Sequence, residues 1–511
     1  MIRIAVLSDP HLHDVEFGGA GPLVRSLAET IHSTRVFNES AAALRQVLDD
    51  VAAAKPDLCL IVGDLTDDGQ PASWAAVAAV LAGYRRTHGT RFFATPGNHD
   101  QWALAGKPLS KEVVDAGGKV VTVAGEPAPG ADLVPDMRMV GYAGSLSHAA
   151  AFGYCRDPAD LHWETPFGTS DRIADRSPGG LPDLSYLVEP LPGLWLLSID
   201  ANVYRPEGDG FADRSKDGWT ATLTEKPHLL PWMTDVAARA QRSGKRLVAF
   251  SHYPAADIFS GSVAALDGLD AQRAGRRAMP GMAEMAALAD TGIGLHFSGH
   301  FHVDATAADP SGRLVNVAVP STVAFPAGWK LLDLDRAGTR ITTRTLRSAP
   351  GFDRWHDRYR AEVARRGDPL PPVIGAPDYG AFLDRHFAAM TLDRRLDEDW
   401  PPLMRDLVLT RRLSDLPGLP DAEPLPMTEV FTDWYRLRET GGGSLARVSE
   451  ARRALYLRLA AEHGRTGAGA GAEGQVLAVF FSTLGAHAGA GARGMAALAT
   501  AGIATGDSAP R

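Results

Sequence analysis

Arg91-Phe92-Phe93-Ala94-Thr95-Pro96-Gly97-Asn98-His99-Asp100 decides how the rest of the chain is read: an apolar run delivers a short polar loop. Four other polar clusters read as converging on that loop. They are Asp9-Pro10-His11, Gly63-Asp64, Ser251-His252-Tyr253 and Gly299-His300-Phe301-His302. Each follows a short β-branched or aromatic run, so each is expected at the C-terminal end of a strand. There a sheet edge can present ligands to a common point. Asp, Asn and His delivered by five loops amount to a candidate two-metal site.

Outward from that stretch, Ile2–Leu7 and Leu58–Val62 read as buried strands. Between them Ala41, Leu44, Val47, Leu48 and Val51 form an apolar stripe at helical spacing, with Asn38 as the expected N-cap and Pro56 as the stop. A second helix spans roughly Ala72 to Arg86. Strand, helix, strand, helix, strand is the pattern of a largely parallel α/β sheet. Lys119–Val123 and Met137–Tyr142 look like further strands. Residues 147–182, rich in Gly, Pro and Asp, are expected to be irregular, a loop over the site that helps choose the substrate. Regular structure resumes at Leu194–Ile199 and Arg246–Phe250, with helices near Pro231–Arg242 and Met282–Ala289. Strands Gly294–Phe297, Leu314–Val317, Lys330–Leu334 and Ile341–Thr345 close the sheet region.

Three divisions are expected: a sheet-bearing domain over 1–346, an α-helical domain over 347–466, and a flexible Gly/Ala-rich tail over 467–511 with a short apolar helix at Gln475–Leu484. The helical domain is expected to pack on the first or to join copies of the chain into a homo-oligomer.

Composition is that of an ordinary globular protein, 45% hydrophobic and 22% charged. Its 52 Lys and Arg against 61 Asp and Glu leave a formal charge of −9, with no long basic run, which argues against nucleic acid as the partner. Only Cys59 and Cys155 are present, in no CxxC pattern, so thiolate ligation is not expected, and Cys59 reads as a small buried hydrophobe. No stretch reaches the roughly 18 apolar residues of a membrane span, and the first strand begins at residue 2 with no leader before it, so a cytoplasmic location is expected. Mixed carboxylate, amide and imidazole donors suit Mn, Fe or Zn better than Ca. Two such ions would neutralise a phosphate ester and acidify a water between them, with Asp64 the natural bridge.

The five blocks, in this order, resemble the metal-binding blocks of the calcineurin-like metallophosphoesterases over roughly residues 1–346. That resemblance implies two packed mixed β-sheets flanked by helices, an αββα sandwich, with the helical C-terminal domain added. It implies Asp9, His11 and His302 as ligands of one metal, Asn98, His252 and His300 of the other, and Asp64 shared, with two divalent or mixed-valence ions (Mn, Fe or Zn) as cofactors. It also implies that His99 contacts the phosphate and protonates the leaving group, with Asp100 orienting it, while metal-bound hydroxide attacks phosphorus. Asp9-Pro10-His11-Leu12-His13 followed by Gly63-Asp64-Leu65-Thr66-Asp67-Asp68-Gly69 resembles the class III cyclic-nucleotide phosphodiesterase branch within the family. The expected activity is thus hydrolysis of a small phosphodiester, a 3′,5′-cyclic nucleotide among the candidates. Alternatives are a phosphomonoesterase or nuclease of the same fold, or a non-catalytic scaffold that binds metal or nucleotide.

Among the remaining polar residues, His296 is expected to be a satisfied core histidine and His13 a loop residue. Asp67 and Asp68 read as turn and capping residues, Asp200 as a turn residue or a support to the ligands, and His148 and His162 as solvated loop histidines.

Overall fold

The computed structural model describes residues 1–511 except 17–20, 102–104, 170–171, 173–179, 209, 270–277, 337, 420–422, 466–470 and 507–511. Two mixed sheets form its centre. The first has six strands in the order Ile503–Thr505, Thr339–Thr345, Gly328–Leu334, Ile2–Leu7, Leu58–Ile61, Arg91–Ala94. Its last three strands are parallel, and Ile2–Leu7 meets Gly328–Leu334 antiparallel, pairing Ile4 with Leu332. The second sheet has seven strands in the order Ala305–Ala308, Val315–Ala318, Leu295–Ser298, Arg246–Ser251, Leu194–Ile199, Tyr186–Leu191, His162–Glu164. Its four middle strands, from Val315–Ala318 to Leu194–Ile199, are mutually parallel; Ala305–Ala308 and Tyr186–Leu191 run antiparallel to them, and His162–Glu164 runs antiparallel to Tyr186–Leu191.

The sheets face each other. Tyr186 Oη donates to the Ala94 carbonyl at 2.8 Å, and Thr95 Oγ1 to the Ile199 carbonyl at 3.1 Å, tying the end of a first-sheet strand to the second sheet. Val6, Leu60 and Phe93 share one apolar core with Leu196, Phe250 and Phe297. The opposite face of the second sheet, through Leu197, Ile199 and Ala249, packs on the helices Leu229–Arg242 and Met282–Asp290. Strands covered on both faces read as continuous apolar runs, which is why Leu194–Ile199 is buried at every position.

The helix Ser40–Ala54 begins one residue later than its sequence signal, with Glu39 at the N-cap position. Asn38 does not cap it; its amide accepts from the Arg25 N–H at 2.9 Å and donates to the Arg25 carbonyl at 3.0 Å, clamping a neighbouring loop. Met137–Tyr142 is likewise only a two-residue strand, Arg138–Met139, before the helix Gly141–Ala149. Within 147–182, His162–Glu164 is an edge strand of the second sheet, and the buried Arg172 donates to the Tyr154, Asp183 and Ser185 carbonyls. The described part of that segment is built into the sandwich rather than laid over the site; 170–171 and 173–179 lie outside the described residues.

Beyond residue 347 the chain is helical. Trp400, Phe431, Trp434, Tyr435 and Phe480 form its aromatic centre, all fully buried. The expected flexible tail is corrected: Gly471–Ala488 and Ala490–Thr500 are helices, and Ile503–Thr505 pairs in parallel with the edge strand Thr339–Thr345. Their Gly and Ala are packing residues. A Cβ at Gly485 would strike Ala460 on the facing helix Glu450–His463, so only glycine lets the two helices come this close. Among the described residues, no helix is long and apolar enough to cross a membrane.

Candidate metal centre

All five loops leave strand ends on one side of the two sheets. Asp9 and His11 follow Ile2–Leu7, Asp64 follows Leu58–Ile61, and Asn98 and His99 follow Arg91–Ala94. His252 follows Arg246–Ser251, and His300 and His302 follow Leu295–Ser298. Their backbone is unusual. Asp9, His11, Asp64, His300 and His302 have φ of 48°, 41°, 51°, 71° and 61°, the left-handed region that side-chain-bearing residues avoid at a cost of roughly 1–3 kcal/mol each. Only three other described non-glycine residues, Lys55, Ser260 and Arg447, do the same. Glycines make the crowding possible: a Cβ at Gly63 would run into His252, at Gly97 into Asp64, and at Gly299 into Ser8 and Asp9.

The side chains form two groups. His11 Nε2 lies 3.0 Å from His302 Nε2, and each is within 3.7 Å of Asp9 Oδ1. Asn98 Oδ1 lies 3.0 Å from His252 Nε2 and 3.1 Å from His300 Nδ1. Asp64 Oδ2 sits between the groups, 3.5 Å from His11 Nε2 and 3.2 Å from His252 Nε2. All seven expected ligands are therefore gathered at one place. Asp9, His11 and His302 lie close enough to hold one ion, and so do Asp9, Asp64 and His252.

The chemistry of this donor set fits metal ions. Two imidazole nitrogens facing each other at 3.0 Å share at most one proton, and His11 Nδ1 is buried without a partner. Asp9 and Asp64 are 0% and 1% exposed, yet among the described residues neither has a Lys or Arg partner. Buried carboxylates without a cation are strongly unfavourable. Burial, with Arg35 and neighbouring histidines adding to it, holds His11 well below the ordinary imidazole range, so it is neutral, the form that ligates. Burial also opposes charge on His252, but Asp64 and Asp9 outweigh it and raise that imidazole to about 9. In the metal-free protein a protonated His252 thus faces Asp64, and a metal would displace its proton.

His99 stands beside this cluster. Its N–H donates to Asp64 Oδ1 at 2.8 Å, and its ring meets that of His11 edge-on with centroids 5.0 Å apart. Its Nδ1 lies 2.9 Å from Asp68 Oδ1, to which it donates when protonated, and 3.2 Å from the Arg35 guanidinium. Asp100 does not take the orienting place that the resemblance implied. Its Oδ1 accepts from the Thr66 N–H and hydroxyl, and its Oδ2 from the Gly97 N–H, so it staples the 97–100 turn to the Asp64 loop. Burial and the nearby Asp64 charge push its carboxyl up to about 7.

Asp67 and Asp68 are more than turn residues. Both are fully buried; Asp67 pairs with Arg25 and Arg35, and Asp68 with Lys111 and His99. Burial opposes ionisation of Asp68, but Lys111 and His99 hold it well below the usual carboxylate range. The sequence signal for this was two adjacent acids three and four residues after Asp64; their partners, 31 to 43 residues away, carry no local pattern. Asn202 and Tyr253 went unread as well. Asn202 Nδ2 donates to the Pro96 carbonyl at 3.0 Å, and Tyr253 Oη, its ring 4.7 Å from that of His300, donates to Asn202 Oδ1 at 3.1 Å.

The remaining polar residues singled out in the sequence have other partners. His296 is a core histidine satisfied by Ser251 at 3.0 Å and Asn316 at 2.8 Å. His13 is buried in the first loop, with Nε2 2.9 Å from the Leu23 carbonyl. Asp200 is buried beside Lys226 at 3.1 Å. His148 and His162 are not solvated loop histidines: both are half-buried, His148 in the helix Gly141–Ala149 stacked on Trp74, His162 in the strand His162–Glu164 stacked on Trp195 beside Glu164.

The sequence matches the model of the Calcineurin-like phosphoesterase family over residues 2–304. Comparison with curated proteins finds no match. Among solved structures the chain is similar to a dimetal phosphatase from Danio rerio, at 13% identity and a TM-score of 0.39, over 66% of this chain and 93% of that one. It is also similar to a sulfate thiohydrolase, SoxB, from Thermus thermophilus in complex with glycerol, at 14% identity and a TM-score of 0.30, over 72% of this chain and 61% of that one. Likenesses this distant bear on neither substrate nor residue roles.

Proposed function

The chain belongs to the calcineurin-like phosphoesterase family, and we propose that within it the chain is a cytoplasmic, dinuclear metal-dependent hydrolase of small phosphodiesters, with 3′,5′-cyclic nucleotides the first class to test. Asp9, His11 and His302 would hold one ion, Asn98, His252 and His300 the other, and Asp64 would be shared; Mn, Fe and Zn suit the mixed nitrogen and oxygen donors. Such ions neutralise the phosphate oxygens and supply a nucleophilic oxygen from water at neutral pH.

The chain's own residues do the rest. His99 carries the proton that the departing oxygen needs. With Nδ1–H donated to Asp68, the charged imidazole is stabilised and Nε2 is left to deliver that proton. Lys111 keeps Asp68 ionised for this task. Asp100 fixes the turn that carries Asn98 and His99. Catalysis at this site does not need a strongly basic surface, in keeping with the formal charge of −9.

The observation that carries the reading is the pair of buried carboxylates, Asp9 and Asp64, beside imidazoles, three of them on left-handed backbone, with no Lys or Arg among the described residues to balance them. The test is hydrolysis of bis-p-nitrophenyl phosphate, p-nitrophenyl phosphate and 3′,5′-cAMP by metal-stripped protein reloaded with Mn, Fe or Zn, beside His99→Ala. Turnover of the diester and of cAMP, lost in the variant, is the expected result. Turnover of the generic diester alone keeps the reaction and moves the substrate elsewhere. Silence with every metal overturns the reading in favour of a binding scaffold.

A further inference from the structure

The loop Gly299–Asp304 carries two of the seven expected ligands, and both His300 and His302 sit on left-handed backbone. Strained backbone persists only where its surroundings over-determine it. On the metal side this loop has Asp9, whose carboxylate accepts from the His300 N–H at 3.2 Å. What holds its other side comes from the helical part of the chain, more than 130 residues later.

The contacts are specific. The Asp304 N–H donates to the carbonyl of Glu439, the last residue of the helix Met427–Glu439, at 2.8 Å. Phe301 packs edge-on against Phe259 with centroids 5.0 Å apart, and Arg438 lies over that same Phe259 ring at 4.7 Å. Arg438 is itself fixed: its guanidinium also lies 4.5 Å from the Tyr435 ring and 5.5 Å from the Trp434 ring, and its Nε donates to Glu439 Oε1 at 3.0 Å. Just past the helix, Gly441 has φ +51°, and a Cβ there would stand 2.9 Å from the Asp304 carbonyl oxygen and 3.0 Å from Ala305 Cα. Helix end, glycine turn and loop therefore fit with no spare room. Lys330 ties down the Asp304 carboxylate from the first sheet.

We propose that Arg438, Glu439 and Gly441 are positioning residues of the metal centre, bracing Gly299–Asp304 from behind so that His300 and His302 stay aimed at the ions. This rests on the reading of those histidines as ligands. The helical region is then a working part of the site, and its removal or loosening acts on metal binding before it acts on anything else. Groups that orient ligands in this way typically change metal affinity by about 10–100-fold when lost.

The test uses the full chain, stripped and titrated with Mn by calorimetry, with the cobalt form followed by its visible spectrum. Gly441→Ala and Arg438→Met are compared with Leu459→Ala, a core change on the helix Glu450–His463, and with Arg438→Lys. Expected is a loss of about 10–100-fold in affinity for at least one of two ions in Gly441→Ala and Arg438→Met, with a shifted cobalt spectrum. Arg438→Lys should recover part of the loss, and Leu459→Ala should keep wild-type affinity despite a lowered Tm. Should the first two variants fail to fold, Phe259→Leu, which removes the ring that links Arg438 to Phe301, reads the same effect. Two ions in the wild type with unchanged affinity and spectrum in the folded brace variants overturns the brace alone. No metal in the wild type overturns the ligand reading beneath it.

Discussion

The two strand-end acids of the metal centre, Asp9 and Asp64, and the buried acids of the helical region are treated in opposite ways. Among the helices, each has an arginine. Asp433 meets Arg452 at 3.0 Å and Arg436 at 3.3 Å, Asp399 lies 3.7 Å from both Arg395 and Arg438, and Glu439 accepts from Arg438 at 3.0 Å. At the mouth of the sheets Asp9 and Asp64 face imidazoles and, among the described residues, no Lys or Arg. The same chain that neutralises its helical core with its own cations leaves the two acids at its strand ends to be neutralised from outside. Glycine shows the same division. Gly63, Gly97 and Gly299 make room for ligand side chains, whereas Gly485 lets two helices touch and Gly494 lets a helix approach the Thr306 carbonyl.

Five substitutions put this comparison at risk, and the largest effect belongs to Asp64. Asp64→Asn removes the carboxylate between the two groups, and kcat/KM for the diester should fall about 10³-fold or more, roughly 4 kcal/mol. Retention of full activity would erase the distinction between the two kinds of acid.

His386, in the helix Tyr379–Met390, gives the helical counterpart. Its Nε2–H donates to the Thr30 carbonyl at 2.7 Å, and burial lowers the imidazole to about 4. Because the folded value lies below the unfolded one of about 6.5, its contribution to stability is complete above that pH and is lost as pH falls toward 4. The loss is about 3 kcal/mol by the end of that window. His386→Gln should flatten the acid limb of stability between pH 6.5 and 4, measured by denaturant titration; an unchanged slope would remove His386 as its cause.

Asp68→Asn should lower kcat for the diester about 100-fold through His99 with little change in metal content, whereas Asp100→Asn should act chiefly on Tm. Equal kinetic effects in the two would restore Asp100 to the orienting role. Asp433→Asn, the smallest change, should lower stability by about 2 kcal/mol, since Arg452 is partly exposed and screened, and should leave kcat intact. A loss of activity at constant stability would break the contrast from the helical side.

The strand ends were legible because the ligand loops obey a local rule, an apolar run followed by Asp, Asn or His, and all seven expected ligands meet. The second sheet was legible only through family resemblance, since periodicity does not say which sheet a buried strand joins. What escaped was set by distant partners. Asp68 and Arg35 find their roles across 31 and 64 residues at His99, and Asn38 finds its across 13 at Arg25. The Gly/Ala stretch after 467 misled for the opposite reason. Small residues promise flexibility by local propensity, yet tertiary packing on Ala460 asks for that very smallness.

The most direct test of the central claim is anomalous diffraction at the manganese edge from crystals of Mn-loaded protein. Two peaks about 3.5–4 Å apart are expected, one beside Asp9, His11 and His302, the other beside Asn98, His252 and His300, with Asp64 reaching both. A single peak, or none within reach of Asp64, would contradict it.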